Sequence, residues 1–249
     1  MLEMTVLFVA GFVAGILNAV AGGGTFLTFP ALVWFGLPPV LANATSTLAA
    51  MPGYASAAWA FRHDVGAEGP LKLPAIIALA TLGAVIGALL LIVTPSEVFT
   101  GVVPWLLLLA TVLFGAGPAI LRFAKSRGIG QAGLLVSALV ILLVAIYGGY
   151  FNGGLGIMLL AAFSLLGYQN LHGMNGLKNL ISAIISVVSS VAFISAGLIV
   201  WKPALVIAVA ITIGGYVGAS QSRRIKNQNH LRWFVTGVGA ITTVIFFLP

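Results

Sequence analysis

Cysteine is absent from this sequence of 249 residues, and charge is scarce, with 11 Lys and Arg against 4 Asp and Glu. The lack of cysteine excludes disulfide bonds and metal sites built from thiolates. Hydrophobic residues make up 61% of the chain, so too little polar surface remains to keep it dissolved in water. We therefore expect an all-α polytopic membrane protein, with the lipid bilayer as its surroundings.

Long stretches of the chain carry no charge at all. No charged residue occurs between Glu3 and Arg62, or from Gly128 to Leu177. Because one helical crossing takes about 20 apolar residues, each of these stretches must enter the bilayer at least twice. Apolar stretches and helix breakers together predict ten segments, of which about 8 to 10 enter the membrane. They are Met4–Val20, Thr25–Phe35, Asn43–Phe61, Leu71–Val93, Val98–Leu121, Gln131–Tyr150, Leu155–Leu166, Asn175–Val200, Pro203–Ser220 and Leu231–Phe247.

Acidic side chains are missing from the interior of every predicted segment. The four that exist fall at a terminus or at predicted loops, namely Glu3, Asp64, Glu68 and Glu97. Coupling of transport through a buried carboxylate is therefore not expected. A membrane enzyme would need a nucleophile with a base, a metal cluster or paired carboxylates at depth, so no catalytic residue, metal or cofactor is predicted. A lipid-modifying enzyme and a non-transporting assembly subunit remain the alternatives to a transporter.

Three consecutive glycines, Gly22 to Gly24, interrupt the first apolar stretch just before the second segment, which is too short to cross the bilayer. A related break precedes the equally short seventh segment, at a constant offset of 132 residues. We interpret this as an internal duplication with repeats at 1–127 and 128–249, each a Gly-broken or re-entrant hairpin followed by three transmembrane helices. Four pairs carry the same residue type: Gly22 and Gly154, Gly24 and Gly156, Leu27 and Leu159, Asn43 and Asn175.

Positive charge gathers in three predicted loops, at Arg62 to Lys72, Arg122 to Arg127 and Arg223 to Arg232, which hold nine of the eleven Lys and Arg. In a membrane protein such clusters mark cytoplasmic loops rather than a nucleic-acid site. If each hairpin returns the chain to the side from which it entered, all three loops share one side and both termini lie on the extracytoplasmic side. The two repeats then have inverted topology, as in many secondary transporters.

The glycine breaks are also chemically informative. Consecutive glycines leave backbone N–H groups unshielded, and such a turn before a helix directs these donors and the helix dipole at one point, which favours an anion. Close packing of helices is the alternative explanation, and it is the one expected for the pairs Gly11/Gly15, Gly83/Gly87 and Gly214/Gly218. The polar and glycine positions around both breaks form the predicted substrate site: Asn18, Gly22, Gly23, Gly24, Thr25, Asn43, Thr45, Ser46, Asn152, Gly153, Gly154, Gly156, Asn175, Lys178 and Asn179.

Lys178 differs from the other members of this set because it carries a charge. It lies in the first turn of the segment predicted to begin at Asn175, where a cation is electrostatically misplaced unless an anion is close. The alternative is a lysine that extends to the lipid headgroups. The alternative role for Asn43 and Asn175 is plain N-capping. Asn18 and Asn152 flank the two breaks, where their amide groups would either donate to a ligand or equally well pair with frayed backbone.

The stretch from Gly11 to Thr47 resembles the TauE/SafE sulfite exporter family, also called TSUP. The resemblance is carried by Ala-Gly-Gly-Gly at 21–24, Pro30, Gly-Leu-Pro-Pro at 36–39 and Ala-Asn-Ala-Thr-Ser at 42–46. A weaker second block, Gly148 to Asn179, lies where the second conserved block of the family is expected, so the resemblance covers essentially the whole chain.

This resemblance implies transport of sulfur-containing anions, such as sulfite, sulfoacetate or other organosulfonates, across the bacterial cytoplasmic membrane. Members of the family differ in substrate, so another small organic anion is the alternative. The chain departs from a glycine-rich second motif at Leu155, which separates Gly154 from Gly156, and Lys178 stands where the first half has Ser46. The asymmetry suggests that one half holds the anion while the other packs.

Overall fold

The computed structural model describes residues 2–20, 22–126, 133–222 and 229–248, and in them the chain forms ten α-helices. Ala21 and residues 127–132 and 223–228 lie outside this set. The last two ranges include parts of the basic loops that are predicted to share one side of the membrane. The expected all-α polytopic fold is confirmed. The helices are α1 (Leu2–Val20), α2 (Thr25–Trp34), α3 (Pro39–Ala60), α4 (Leu73–Val93), α5 (Ser96–Ser126), α6 (Leu134–Tyr150), α7 (Leu155–Leu165), α8 (Leu171–Ser195), α9 (Trp201–Ser222) and α10 (Asn229–Phe247).

Helix length separates two kinds of segment. Among the described residues, five helices are long and apolar enough to cross a membrane, and they fall in α1, α4, α5, α8 and α9. In contrast, α2 has 10 residues and α7 has 11. At 1.5 Å per residue they rise about 15 to 17 Å, roughly half of the hydrocarbon core. The prediction that the second and seventh segments are too short to cross is confirmed.

Two helices begin a full turn earlier than predicted from the sequence. Helix α3 starts at Pro39, where the fixed backbone angle of proline suits the first turn, rather than at Asn43. Helix α8 starts at Leu171, because the Oδ1 atom of Asn170 accepts hydrogen bonds from the backbone N–H groups of His172 and Gly173. Asn43 and Asn175 are therefore not N-caps. The placement of Lys178 in a first turn is also wrong, since it is more than two turns into α8.

Apolar side chains cover the outer surface, as contact with lipid requires. On α4, for example, Leu89 and Val93 are 53% and 73% exposed. The five tryptophans are exposed as well, and most lie close to a helix end, which fits a belt at the membrane interface. They are Trp34, Trp59, Trp105, Trp201 and Trp233.

Glycines bring two pairs of helices into close contact. Helix α1 packs along α9, and a Cβ atom on Gly15 would collide with the backbone of Ile211 and Gly215. Helix α4 packs along α6, and a Cβ atom on Gly87 would collide with the backbone of Ile146. Gly11, Gly83, Gly214 and Gly218 have similarly close neighbours. The packing role expected for these glycines is confirmed.

Contacts in the first half of the chain are matched by contacts in the second half. If α1 to α5 correspond to α6 to α10, the α1–α9 contact matches α6–α4, and α3–α9 matches α8–α4. The hairpin contacts α1–α2 and α2–α3 likewise match α6–α7 and α7–α8. The pairs α3–α8 and α5–α10 join each helix to its own counterpart. The division into repeats at 1–127 and 128–249 stays a prediction, and this pattern agrees with it.

Candidate functional site

The two glycine breaks contact each other directly. Gly22 and Gly154 both have a left-handed backbone, with φ angles of +86° and +76°. A Cβ atom on Gly22 would lie 2.7 Å from the Cα atom of Gly156, and a Cβ atom on Gly156 would lie 2.6 Å from the Cα atom of Gly22. No side chain fits at either position, because real Cβ contacts do not come this close. The breaks, 132 residues apart in sequence, thus form one backbone-to-backbone junction.

The first break uses most of its N–H groups within the protein. The N–H group of Gly22 donates to the carbonyl oxygen of Leu17 at 2.8 Å, and that of Gly24 donates to Oδ1 of Asn18 at 2.7 Å. The N–H group of Gly23 makes no hydrogen bond within the described part of the chain. The expected cluster of glycine donors is therefore reduced here to one, and the Nδ2 atom of Asn18, which is buried and has no partner, adds a second.

Thr25 joins the first break to the second. Its hydroxyl group donates to the carbonyl oxygen of Asn152 at 3.1 Å and accepts from the N–H group of Gly154 at 3.2 Å. The side chain of Asn152 is also fully engaged, since Oδ1 accepts from the hydroxyl group of Tyr54 and Nδ2 donates to Oγ of Ser186. At this break, Thr25 pairs with the exposed backbone, whereas the amide group of Asn152 bonds only to side chains and is neither a free donor nor a partner of frayed backbone.

Lys178 is buried, with 0% of its surface exposed. Its Nζ atom donates to the carbonyl oxygens of Asn18 at 2.8 Å and Ala19 at 3.2 Å, and to Oδ1 of Asn175 at 3.0 Å. The carbonyl groups of Asn18 and Ala19 belong to the last turn of α1. Carbonyls in a last turn find no donor within their own helix, and they carry the negative end of the helix dipole. The alternative of a lysine extending to the headgroups is therefore wrong. The cation sits at the first break and closes the end of α1.

Asn179 completes this side of the junction. Its Nδ2 atom donates to the carbonyl oxygens of Ala19 at 3.3 Å and Asn175 at 2.9 Å, while its Oδ1 atom is buried without a partner. The other half makes the corresponding contact with an amide instead of an ammonium group, since Nδ2 of Asn43 donates to the carbonyl oxygen of Tyr150, the last residue of α6. Helix α8 thus reaches the end of α1, and α3 reaches the end of α6.

Three of the predicted residues take other roles. The hydroxyl group of Thr45 accepts from the N–H group of Val200 in the loop before α9, at 3.1 Å. Ser46 pairs with the hydroxyl group of Thr28 at 2.7 Å. Gly153 accepts a hydrogen bond from the hydroxyl group of Tyr147 at its carbonyl oxygen. None of the three contacts Lys178 through a hydrogen bond in the described chain.

Sequence analysis missed three residues that hold the junction together, namely Tyr54, Tyr147 and Ser186. A helical pattern could have found two of them. Tyr54 follows Asn43 by three turns of α3, and Ser186 follows Lys178 by about two turns of α8, so each shares a face with a predicted residue. Tyr147 lies one turn before the second break.

The electrostatics of the junction favour a negatively charged ligand. All four acidic residues of the chain are exposed or half-buried, and they lie in the first turns of α1 and α5 and in the loop between α3 and α4. Among the side chains that the structure describes, Lys178 is the only buried Lys or Arg. Among the described groups, its Nζ atom meets only neutral oxygens, and such dipoles stabilise a positive charge less than an opposite charge at the same distance. An anion beside Lys178 would supply that charge.

Comparison with known proteins places the chain in a family. The family model described as "Sulfite exporter TauE/SafE" matches residues 7–246. A probable membrane transporter protein of Haemophilus influenzae is 31% identical over 217 residues, covering 87% of this chain and 84% of the relative. The probable membrane transporter protein YfcA of Escherichia coli K12 is 30% identical over 244 residues, covering 96% and 88%. The chain belongs to the TauE/SafE family of membrane transporters.

Proposed function

We propose that this protein is a secondary transporter, an exporter or uniporter, of sulfur-containing anions such as sulfite or an organosulfonate, across the bacterial cytoplasmic membrane. The observation that carries the proposal is the burial of Lys178 at the junction of the two breaks, with no carboxylate buried among the described side chains. A buried charge without a counter-ion is costly to maintain, so such residues in membrane segments commonly serve the substrate or its pathway.

The donors around Lys178 suit an oxyanion. The Nζ atom carries three hydrogens, which it donates to two carbonyl oxygens and to the Oδ1 atom of Asn175. An oxyanion could take over any of these hydrogen bonds with a gain, because it adds the attraction of a full negative charge to an ammonium group that now meets only the partial charges of neutral oxygens. The Nδ2 atom of Asn18 and the N–H group of Gly23 are further donors near the same helix end. We assign substrate binding to Lys178, Asn18, Gly23, Asn175 and Asn179.

The remaining predicted site residues shape the junction. Gly22 and Gly156 allow the breaks to touch, and Thr25 and Asn152 connect them by hydrogen bonds. Only the half that contains α8 brings a cation to the junction, while the matching contact of Asn43 is neutral. We infer that one half holds the anion charge and the other supports it by packing.

The proposal includes two repeats of inverted topology, at 1–127 and 128–249. The matched helix contacts support it, and so does the reciprocal contact of α8 with the end of α1 and of α3 with the end of α6. With the three basic loops in the cytoplasm, both termini lie outside. Export of a monovalent anion from a cell with a negative interior then gains about 2.3 kcal/mol per 100 mV, so no coupling ion is required.

Transport currents in proteoliposomes test this function. Purified protein is reconstituted, and gradients of sulfite, an alkyl sulfonate, sulfate and acetate are applied in turn, with a sodium gradient at constant anion as the cation control. We expect current or flux with sulfite or the sulfonate and none with sodium. Flux of acetate alone would move the substrate to other organic anions, and flux of the cation alone would overturn the proposal.

A further inference from the structure

A polar face runs along α8 beyond the residues assigned to the substrate. Its members recur every three or four residues, so they share one side of the helix, and each is at most 2% exposed. They are Lys178, Asn179, Ser182, Ser186, Ser189 and Ser190. The opposite side of the same helix is apolar and exposed, as at Val187 and Val191.

Several groups on this face are buried without a hydrogen-bond partner. They are the hydroxyl groups of Ser182, Ser189 and Ser190 and the Oδ1 atom of Asn179. On other helices, Thr47 and Thr243 instead donate to a carbonyl oxygen in the preceding turn, and Thr111 on α5 is a single buried hydroxyl group without a partner. Buried polar atoms without a hydrogen-bond partner cost free energy. Several of them along one face of one helix therefore indicate a partner that binds there transiently.

The polar face also passes both breaks. Lys178 and Asn179 bind the end of α1 at the first break, and Oγ of Ser186 accepts a hydrogen bond from Asn152 at the second. Eight residues of helix separate Lys178 from Ser186, which corresponds to about 12 Å along the axis. Ser189 and Ser190 continue the face by one more turn toward the C-terminal end of α8.

Helix packing alone does not require these hydroxyl groups. In the proposed repeat, Ser182 and Ser189 of α8 correspond to Ala50 and Ala57 of α3, which are equally buried. The two helices also contact each other, and their other main neighbours, α9 and α4, are counterparts in the proposed repeat. The counterpart of Ser186 is Tyr54, which is also buried and whose hydroxyl group donates to Oδ1 of Asn152. Ser46 and Thr47, the counterparts of Lys178 and Asn179, are also polar and buried, so it is the extension of the polar face through Ser182 and Ser189 that is specific to the half that holds Lys178.

We propose that this face of α8 lines the passage of the hydrated anion between Lys178 and the membrane side reached by the C-terminal end of α8. The serine hydroxyl groups donate to the oxyanion or to its water molecules, and Oδ1 of Asn179 accepts from water. The inference rests on the proposed anion transport, and it adds the pathway and the residues that line it.

Cysteine accessibility tests the passage without relying on transport, because the chain has no native cysteine. The variants Ser182→Cys, Ser189→Cys and Ser190→Cys are nearly isosteric, and their folding is checked by gel filtration. Each is treated in proteoliposomes with a methanethiosulfonate reagent bearing a sulfonate and with one of similar size bearing a quaternary ammonium. Val187→Cys, on the exposed apolar side of α8, is the matched negative control, and Ser195→Cys, exposed at its end, is the positive control.

We expect the three serine-face variants to react with the sulfonate reagent at least about tenfold faster than with the ammonium reagent, because a buried cation concentrates anions in a cleft. An alkyl sulfonate at high concentration, which unlike sulfite does not itself react with the reagent, should slow that reaction. Rates no higher than that of Val187→Cys, or equal rates with both reagents, would overturn the passage. Should a cysteine variant not fold, the matching alanine variant is assayed instead, and an unchanged KM for sulfite would count against the passage.

The two failures are distinguishable. Wild-type protein that transports no anion would end the proposed function, whatever the labelling shows. Wild-type protein that transports sulfite while the serine-face cysteines stay inert would keep the function and exclude this route along α8.

Discussion

The Nζ atom of Lys178 lies 2.8 Å from the carbonyl oxygen of Asn18, so the buried cation of the second half closes the last turn of a helix in the first half. The two residues are 160 positions apart in sequence. An anion that binds to Lys178 competes with this contact. Substrate binding and the attachment of α8 to α1 are therefore linked, which offers a physical route from occupancy to a change in the packing of the two halves.

Replacing Lys178 by methionine should remove the response to substrate. Lys178→Met keeps a flexible side chain of similar length but loses the charge and its donors. We expect the sulfite-dependent rise in Tm to vanish and sulfite flux to fall at least about tenfold, equivalent to about 1.4 kcal/mol. The matched control is Lys202→Met, an exposed lysine at the start of α9, which should respond like wild type. An unchanged sulfite response in Lys178→Met would contradict the assigned role.

Substitution of Gly22 should cost more stability than substitution of Gly36. Both have a φ angle of +86°, so alanine is strained by about 1–2 kcal/mol at either position. A Cβ atom on Gly22 would also collide with the backbone of Gly156, whereas nothing lies within 4 Å of one on Gly36. Overpacking adds about 1–3 kcal/mol at Gly22 alone. Thermal unfolding in detergent measures the difference, and equal losses of Tm would argue against a tight junction.

Removal of the Thr25 hydroxyl group should loosen the link between the breaks. Thr25→Val keeps the shape of the side chain but leaves the N–H group of Gly154 unpaired, which costs about 1–3 kcal/mol, while the carbonyl oxygen of Asn152 keeps only its hydrogen bond from the N–H group of Leu155. The control is Thr100→Val, whose exposed hydroxyl group only donates to the carbonyl oxygen of Ser96. Denaturation midpoints should fall for Thr25→Val and stay within about 0.5 kcal/mol of wild type for the control. A loss confined to Thr100→Val would refute the assignment.

The proposed topology predicts which loops face the same side. Single cysteines at Glu97 and Lys125 should react with membrane-impermeant reagents from opposite sides of oriented vesicles, because the two positions lie near opposite ends of α5. Labelling of Lys125→Cys should occur only when reagent has access to the cytoplasmic side. Labelling of both variants from one side would overturn the inverted arrangement.

Sequence periodicity and breakers predicted the ten helices well where a breaker stands at a boundary. Val20 and Thr25 flank the first glycine break in both prediction and structure, and so do Tyr150 and Leu155 at the second. The predictions failed where a cap lies outside the apolar pattern. Helix α8 begins one turn before Asn175, because Asn170 caps it, and α3 begins one turn before Asn43, because the geometry of Pro39 suits a first turn.

Composition by itself determined that this protein is a polytopic helical membrane protein, since 61% hydrophobic residues leave no other stable surroundings, and the glycine pattern determined where the helices break. Only the tertiary structure decided that the two breaks are in contact. It also decided that the N–H groups of Gly22 and Gly24 donate within the protein, and that Lys178 donates to the end of α1. The reason is that a sequence specifies which groups are polar. Hydrogen-bond partners in a membrane interior come from whichever helix end is left unsatisfied nearby, and that end lies 160 residues away.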